Sequence, residues 1–265
     1  MELDLKNIIK FNITKRFFSI ILALPLIFFC IFYGSFYLKA LIILISFLLS
    51  IEWFYLTQKK YNKELYLFVF LIILNLFICF YLTFISSVLL TIFFSWIYII
   101  NKPYKSNIWL FYGLLYICIP LLIFFKIYNL ENGTNIIIWF LVTIWSTDTL
   151  SYISGNLIKG PRIFPNLSPS KTYSGTFFGI FFGSVIGLIS FIYIFNNANN
   201  LFLIFLFALL LSISALVGDL IISKIKRFFK VKDSSKILPG HGGFLDRYDS
   251  VSFGFIVLFF LVYFI

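Results

Sequence analysis

Charged side chains are scarce in this chain of 265 residues. Only 12% of the residues are Asp, Glu, Lys or Arg, against roughly 25% in a soluble globular domain. Because 62% are hydrophobic, the composition excludes both a water-soluble fold and a disordered chain. The single histidine excludes a zinc site made of His and Cys. The three cysteines, Cys30, Cys79 and Cys118, lie inside apolar runs, so no disulfide framework is expected.

The sequence consists mainly of long apolar runs, and a helix needs about 20 apolar residues to cross a bilayer. They predict nine helices, over residues 17–33, 35–56, 65–82, 84–100, 107–128, 135–154, 175–195, 201–222 and 250–265. A count of eight or ten spans is the alternative, because only Gly34 and Ser35 separate the first two runs. We predict one all-α polytopic membrane domain over 1–265, with N-terminal helices over 17–134 and a catalytic half over 135–265.

The basic residues predict how the chain is oriented. If the N-terminus is cytoplasmic, all of the 21 Lys and Arg residues except Lys39 and Lys126 fall on the cytoplasmic side, as the positive-inside rule requires. The net charge of +11 is therefore read as an orientation signal, and nucleic-acid binding is not expected. The first run follows Lys15 and Arg16 as a signal peptide would, but no A-x-A site follows it, so an uncleaved first helix is predicted.

Acidic residues inside apolar spans are costly and mark candidate sites. Asp148 and Asp219 lie toward the cytoplasmic ends of their predicted helices, on the side of the two long loops, 155–174 and 223–249. Glu52 is the weaker candidate, because near the end of its helix it can extend to the surface or pair with Lys59 or Lys60.

The second loop carries further carboxylates and a glycine-rich stretch. Asp246 and Asp249, three residues apart, would share one helix face, and with Asp219 they could supply oxygen ligands to Mg²⁺. Alternatively, Asp246, Arg247 and Asp249 only cap the start of a helix and form an exposed ion pair. Around His241, the backbone N–H groups of Gly242 and Gly243 could approach a phosphate, although such stretches also form ordinary turns.

The first loop ends in hydroxyls and a lysine before a predicted helix. Ser168, Ser170, Lys171 and Thr172 could bind an anion there, and the alternative is an N-cap for the helix, to which Ser174 would contribute. The helix then carries glycines at every fourth position, at Gly175, Gly179, Gly183 and Gly187. This stripe predicts close packing against another helix.

The run over 223–249 resembles the phosphatidate cytidylyltransferase family, also called CDP-diacylglycerol synthases. It matches the family pattern at Ser223, Lys226, Arg227, Lys232, Asp233, Pro239, His241, Gly242, Gly243, Asp246, Arg247 and Asp249. The resemblance extends back to Asp219, Asp148, Thr149 and Tyr152, and to Ser168, Pro169, Lys171 and Thr172. Departures from the pattern occur at Ser151, Asn156, Ser174 and Tyr248.

The resemblance implies a multi-pass enzyme of the cell (inner or plasma) membrane, with its active site facing the cytoplasm, that joins CTP and phosphatidic acid into CDP-diacylglycerol and pyrophosphate. It implies one or two Mg²⁺ ions on Asp219, Asp246 and Asp249, with Lys226, Arg227 and His241 in the catalytic set. The implied substrate contacts are Asp148, Ser168, Ser170, Lys171, Thr172, Ser223, Lys232, Asp233, Gly242, Gly243 and Arg247. The oligomeric state stays open, a homodimer included.

Three other functions are open. A CTP-dependent polyprenol kinase would use similar loops and Mg²⁺. A lipid transporter would place its polar residues near the bilayer midplane in interrupted helices, whereas here they gather at one interface. A lipid-binding or structural protein would leave the one-sided cluster of acids, bases and glycines unexplained.

Overall fold

A computed structural model describes residues 25–101, 105–165, 167–196, 200–235 and 242–264. Helices are α1 (25–33), α2 (Ser35–Gln58), α3 (Lys63–Tyr81), α4 (Phe84–Asn101), α5 (Lys105–Tyr128), α6 (Gly133–Ile158), α7 (Tyr173–Phe195), α8 (Leu201–Phe228) and α9 (Leu245–Leu261). A short 3-10 helix, Val262–Phe264, follows α9. Two short strands, β1 (Arg162–Phe164) and β2 (Ser168–Thr172), lie between α6 and α7.

The helices confirm the predicted all-α membrane architecture. Seven of them, α2, α3 and α5–α9, include segments long and apolar enough to cross a membrane, and α4 contains a shorter apolar helix. The chain is therefore a multi-pass membrane protein. Several helices continue beyond their apolar runs: α8 extends to Phe228 and α9 begins at Leu245. Hydropathy marks only the part of a helix that suits hydrocarbon, so the polar turns at these ends were predicted as loop.

The hairpin of β1 and β2 was also predicted as loop. Its strands are antiparallel, pair Arg162 with Thr172 and Phe164 with Ser168, and have an irregular register between these pairs. Prolines at 161, 165 and 169 weaken the sequence signal for strands, because proline has no N–H to donate to a ladder. The hairpin leads directly into α7, where the Thr172 side chain accepts a hydrogen bond of 3.1 Å from the Gly175 N–H. The predicted N-cap of α7 is thus confirmed at Thr172.

The described chain divides into two compact units. The first contains the described residues within Met1–Cys118 and Val231–Asp246. Its helices α2 and α5 pack closely where Trp53, which is fully buried, faces Gly113. The Trp53 indole N–H donates to the Trp109 carbonyl at 2.8 Å.

The second unit contains Ile119–Lys230 and Arg247–Ile265, described up to residue 264. The glycine stripe of α7 packs against α6, as predicted. A Cβ at Gly183 would lie 2.8 Å from the Thr147 Cα atom, so no larger residue fits without displacing the backbone. Nearby, the hydroxyls of Thr147 and Ser212 form a buried hydrogen bond of 2.8 Å that joins α6 to α8. This tight helix packing supports the candidate site at one end of α8.

Candidate functional site

Asp219 of α8 is the centre of a charged cluster in the second unit. Its Oδ2 atom forms an ion pair with the ammonium group of Lys171 in β2. The Ser223 hydroxyl, one helical turn later, donates to Asp219 Oδ1 at 3.2 Å. Both side chains of the ion pair remain partly accessible, at 29% for Asp219 and 22% for Lys171. The hairpin therefore brings a cation from the first long loop to a carboxylate inside a candidate membrane span.

Asp249 of α9 lies beside this pair because α8 and α9 approach closely at Gly218. A Cβ at Gly218 would overlap the Asp249 carbonyl oxygen and lie 3.1 Å from the Phe253 side chain. The Asp249 side chain is buried and interacts electrostatically with Asp219 and Lys226. Two carboxylates and a buried lysine thus lie together at this helix contact.

Asp148 of α6 joins the same neighbourhood. Its Oδ2 atom accepts a hydrogen bond of 3.0 Å from the Ser250 hydroxyl, and its carboxylate interacts electrostatically with Lys171, Asp219 and Arg247. Its side chain is exposed, unlike that of Asp249. Three helices and the hairpin of one unit therefore contribute to a single region of strong charge.

The other predicted site residues of this unit differ in their contacts and in their exposure to solvent. Lys226 and Arg227 lie in the last turn of α8, where cations interact favourably with the helix dipole. The Arg227 guanidinium donates through Nε to the Leu167 carbonyl at 3.3 Å, which ties α8 to the hairpin turn. Ser170 is exposed, and Ser168 pairs within the hairpin. Arg247 is exposed at the start of α9.

A second group of carboxylates lies in the first unit and centres on Glu52 of α2. The Glu52 side chain is 1% exposed. It accepts hydrogen bonds from the hydroxyls of Ser234 at 3.0 Å and Ser235 at 2.6 Å. It also accepts from the backbone N–H groups of Phe244 at 2.8 Å and Leu245 at 2.7 Å. The expectation that Glu52 extends to the surface is therefore wrong, because this buried position gives its charge four donors.

Asp246 is held in the same unit by neutral donors. Its Oδ2 atom accepts from the Ser234 N–H at 3.0 Å, the Ser234 hydroxyl at 3.1 Å and the Gly243 N–H at 3.0 Å. Asp246 belongs to the first turn of α9, and its three donors come from residues that precede the helix. Gly242 has a φ of +83°, a conformation that favours glycine. The glycine pair therefore forms a turn that delivers the Gly243 N–H to the Asp246 carboxylate.

Several predicted residues lie outside the described part of the chain or on its surface. His241 and Pro239 lie outside the described residues, as does Asn166 in the first loop. Lys232 and Asp233 are exposed. Within the described ranges, no group of three or more His, Cys, Asp or Glu side chains is arranged to hold a metal ion. The ligand set of Asp219, Asp246 and Asp249 therefore stays a prediction.

Comparison with known proteins identifies the family. The model of the cytidylyltransferase family matches residues 14–265, nearly the whole chain. The chain belongs to the cytidylyltransferase family. It is 36% identical over 123 residues to a phosphatidate cytidylyltransferase of Staphylococcus haemolyticus, covering 46% of the chain and 47% of that relative. It is 36% identical over 154 residues to one of Rickettsia conorii, covering 56% of the chain and 66% of that relative. The alignments thus span about half to two thirds of these relatives.

Membership of the cytidylyltransferase family confirms the resemblance. Two of the positions where this chain departs from the family pattern make contacts within the second unit. Ser174 donates to the Lys159 carbonyl and forms a hydrogen bond of 3.2 Å with Thr172. Ser151 packs against Gly179, where a Cβ would lie 2.7 Å from the Ser151 Cα atom. These two departures therefore have structural roles at the α6, α7 and hairpin contacts.

The sequence of this cytidylyltransferase-family chain did not reveal the environment of Glu52. Two features of the sequence are consistent with this environment: an acidic residue near the end of a span, and serines at 234 and 235 in the second long loop. The two features are 182 residues apart in the chain, so spacing alone could not connect them.

Proposed function

We propose that this protein transfers the cytidylyl group of CTP to phosphatidic acid and releases pyrophosphate. Family membership and the similarity to two phosphatidate cytidylyltransferases support the reaction class. Embedding in a membrane suits a lipid substrate, and the charged cluster at Asp219 suits a nucleoside triphosphate.

The observation that carries the proposal is the ion pair of Lys171 with Asp219 beside the buried Asp249. Phosphoryl-type transfer depends mainly on positioning and on neutralising phosphate charge, so a site needs both cations and carboxylates that can hold a metal. Lys171 and Lys226 supply positive charge in this unit, and Ser223 orients the Asp219 carboxylate.

The donor chemistry of this cluster fits Mg²⁺. Asp219 and Asp249 offer hard carboxylate oxygens close together, and Mg²⁺ typically takes one or two carboxylates with substrate phosphates and water. When bound, Mg²⁺ would neutralise charge on the triphosphate and on the leaving pyrophosphate. Asp246, which belongs to the other unit, is retained as a ligand only on the sequence pattern.

In the proposed reaction, a phosphate oxygen of phosphatidic acid forms a bond to the α-phosphorus of CTP. The bond from that phosphorus to the oxygen bridging to the β-phosphate breaks, and pyrophosphate leaves with the electron pair. The lipid phosphate is already ionised near neutral pH, so no strong general base is needed. Lys226 and Arg227 would then hold phosphates of the lipid or nucleotide rather than move protons. We place this site on the cytoplasmic side of the cell membrane, because the basic residues favour that orientation.

The proposal is tested by measuring pyrophosphate release from CTP by the purified full chain in mixed micelles. Release should require both phosphatidic acid and Mg²⁺ and should stop with a chelator. Asp219→Asn should lower turnover by about 100-fold or more, because the cation that would stabilise transition-state charge loses a carboxylate ligand. Glu131→Gln, at an exposed position between α5 and α6, is the matched control. Turnover with a polyprenol in place of phosphatidic acid would instead favour the kinase.

A further inference from the structure

We propose that Glu52 is a positioning residue for Asp246 and for the turn at Gly242 and Gly243. Its predicted effect on turnover rests on the proposed function, whereas its effect on the local structure does not. Asp246 is one of the carboxylates that the family pattern assigns to the reaction, so a residue that fixes Asp246 would affect catalysis without touching substrate.

The Glu52 carboxylate joins two stretches that lie on either side of residues 236–241. Its Oε1 atom accepts from Ser235 and Phe244, and its Oε2 atom accepts from Ser234 and Leu245. Both oxygens thus have one donor from each stretch. The backbone donors belong to the beginning of α9, where N–H groups lack partners within the helix. A side chain from α2 therefore fixes where α9 starts.

Ser234 links Glu52 to Asp246 directly. Its hydroxyl oxygen lies 3.0 Å from Glu52 Oε2 and 3.1 Å from Asp246 Oδ2. A hydroxyl has only one proton, so it is shared between the two carboxylates. The Ser234 backbone N–H also donates to Asp246 Oδ2. Displacing Ser234 from Glu52 would therefore change the orientation of Asp246.

Gly243 provides the space that this arrangement needs. A Cβ at Gly243 would lie 2.5 Å from Glu52 Oε2 and 3.0 Å from Glu52 Cδ. Gly243 also donates its N–H to Asp246. The Ser234 hydroxyl would overlap the same Cβ, so a side chain at residue 243 would displace Ser234 and Glu52 together, which gives the turn a role beside any contact with phosphate.

The test compares wild-type full-length protein with Glu52→Gln in micelles. Glutamine keeps the shape but places an N–H₂ donor among donors. Amide hydrogen exchange should accelerate at Ser234 and over 243–245, with the rest of the chain unchanged. The turnover number should fall by about 10- to 100-fold, as when a partner that orients a metal ligand is lost, with a smaller change in KM for CTP. Glu131→Gln should match the wild type in both measurements.

Two further variants keep the test decisive. Ser234→Ala removes the shared hydroxyl but leaves Glu52 in place, and it should also lower the turnover number and accelerate exchange at Gly243. Combining Glu52→Gln with Asp246→Asn should be no slower than Asp246→Asn alone, because residues acting through one another are not additive.

Unchanged exchange over 243–245 in Glu52→Gln would overturn the proposal. So would faster exchange throughout the chain with an unchanged turnover number per folded molecule, which indicates a purely structural role. If Glu52→Gln does not fold, an unchanged turnover number in Ser234→Ala overturns it. If the wild type does not consume CTP, the proposed function has failed, and the exchange measurement still decides whether Glu52 fixes the turn.

Discussion

The carboxylates of this protein differ in the partners that hold them. Asp219 has a lysine, whereas Glu52 accepts four hydrogen bonds from hydroxyl and backbone donors. An ionised carboxylate removed from water is costly unless it is paired or hydrogen-bonded. The lysine beside Asp219 suits a site that binds a charged ligand. The hydroxyl and backbone donors around Glu52 suit a carboxylate with a fixed structural position.

Lys171 is the residue whose substitution tests the charged cluster. Lys171→Met removes the cation next to Asp219 while keeping much of the side-chain length. We expect turnover of CTP to fall by about 10- to 100-fold, because Asp219 loses the partner that orients it. The measurement is the turnover number of purified variants at saturating CTP.

Lys224→Met is the control for this substitution, because Lys224 lies on α8 like Asp219 and its side chain is exposed. Its turnover number should stay close to that of the wild type. Equal losses in the two variants would mean that general surface charge, and not the ion pair, accounts for the effect.

Single residues were predictable where chemistry alone marks them. Asp148 and Asp219 were identified because acids are rare in apolar spans, and the structure places both in one electrostatic neighbourhood. The partner of Asp219 was not predictable, because the Lys171 position depends on an unpredicted hairpin. Glu52 was undervalued for a similar reason, since its donors come from a distant segment of the chain.

Secondary structure elements were predictable to the extent that hydropathy determines them. The run at 84–100 coincides closely with α4, Phe84–Asn101, because the whole helix is apolar. The first turns of α9 were missed, because Asp246, Arg247 and Asp249 are polar although they belong to the helix. Of the three, only Asp249 is buried within the protein, and hydropathy carries no signal for a buried carboxylate.

The glycine stripe of α7 was predictable because its period of four residues has one simple structural meaning. Small residues on one helix face allow two backbones to approach, and the contacts at Gly183 and Gly187 show this approach against α6 and α8. The hairpin before α7 was not predictable, because its prolines and short strands resemble an irregular loop.

The division of the whole molecule into two units does not follow the order of the chain. The described residues of Val231–Asp246 belong to the first unit, although they follow α8 of the second. Within the first unit, the hydrogen bonds of Glu52 join α2 to Ser234, Ser235, Phe244 and Leu245. Hydropathy along the chain contains no signal for contacts between segments so far apart.

The orientation of the whole molecule in the membrane gives a further prediction. Single cysteines at Lys60 or Lys232, in a background lacking Cys30, Cys79 and Cys118, should resist a membrane-impermeant thiol reagent in intact cells. A cysteine at Glu131 should react, because the positive-inside rule places that loop outside. All three positions are exposed on the protein. Labelling of the cysteine at position 232 in intact cells, with the cysteine at position 131 protected, would show the opposite orientation.

The proposed reaction transfers the α-phosphorus of CTP to phosphatidic acid, and labelled CTP tests it most directly. CTP carrying a radioactive phosphorus at either the α or the γ position is supplied to the purified protein with phosphatidic acid and Mg²⁺, and the lipid is extracted. We expect label to enter the lipid only from the α position, together with cytosine absorbance, while the γ label leaves as pyrophosphate. Lipid labelled from the γ position would show phosphoryl transfer by a kinase and would rule out cytidylyl transfer.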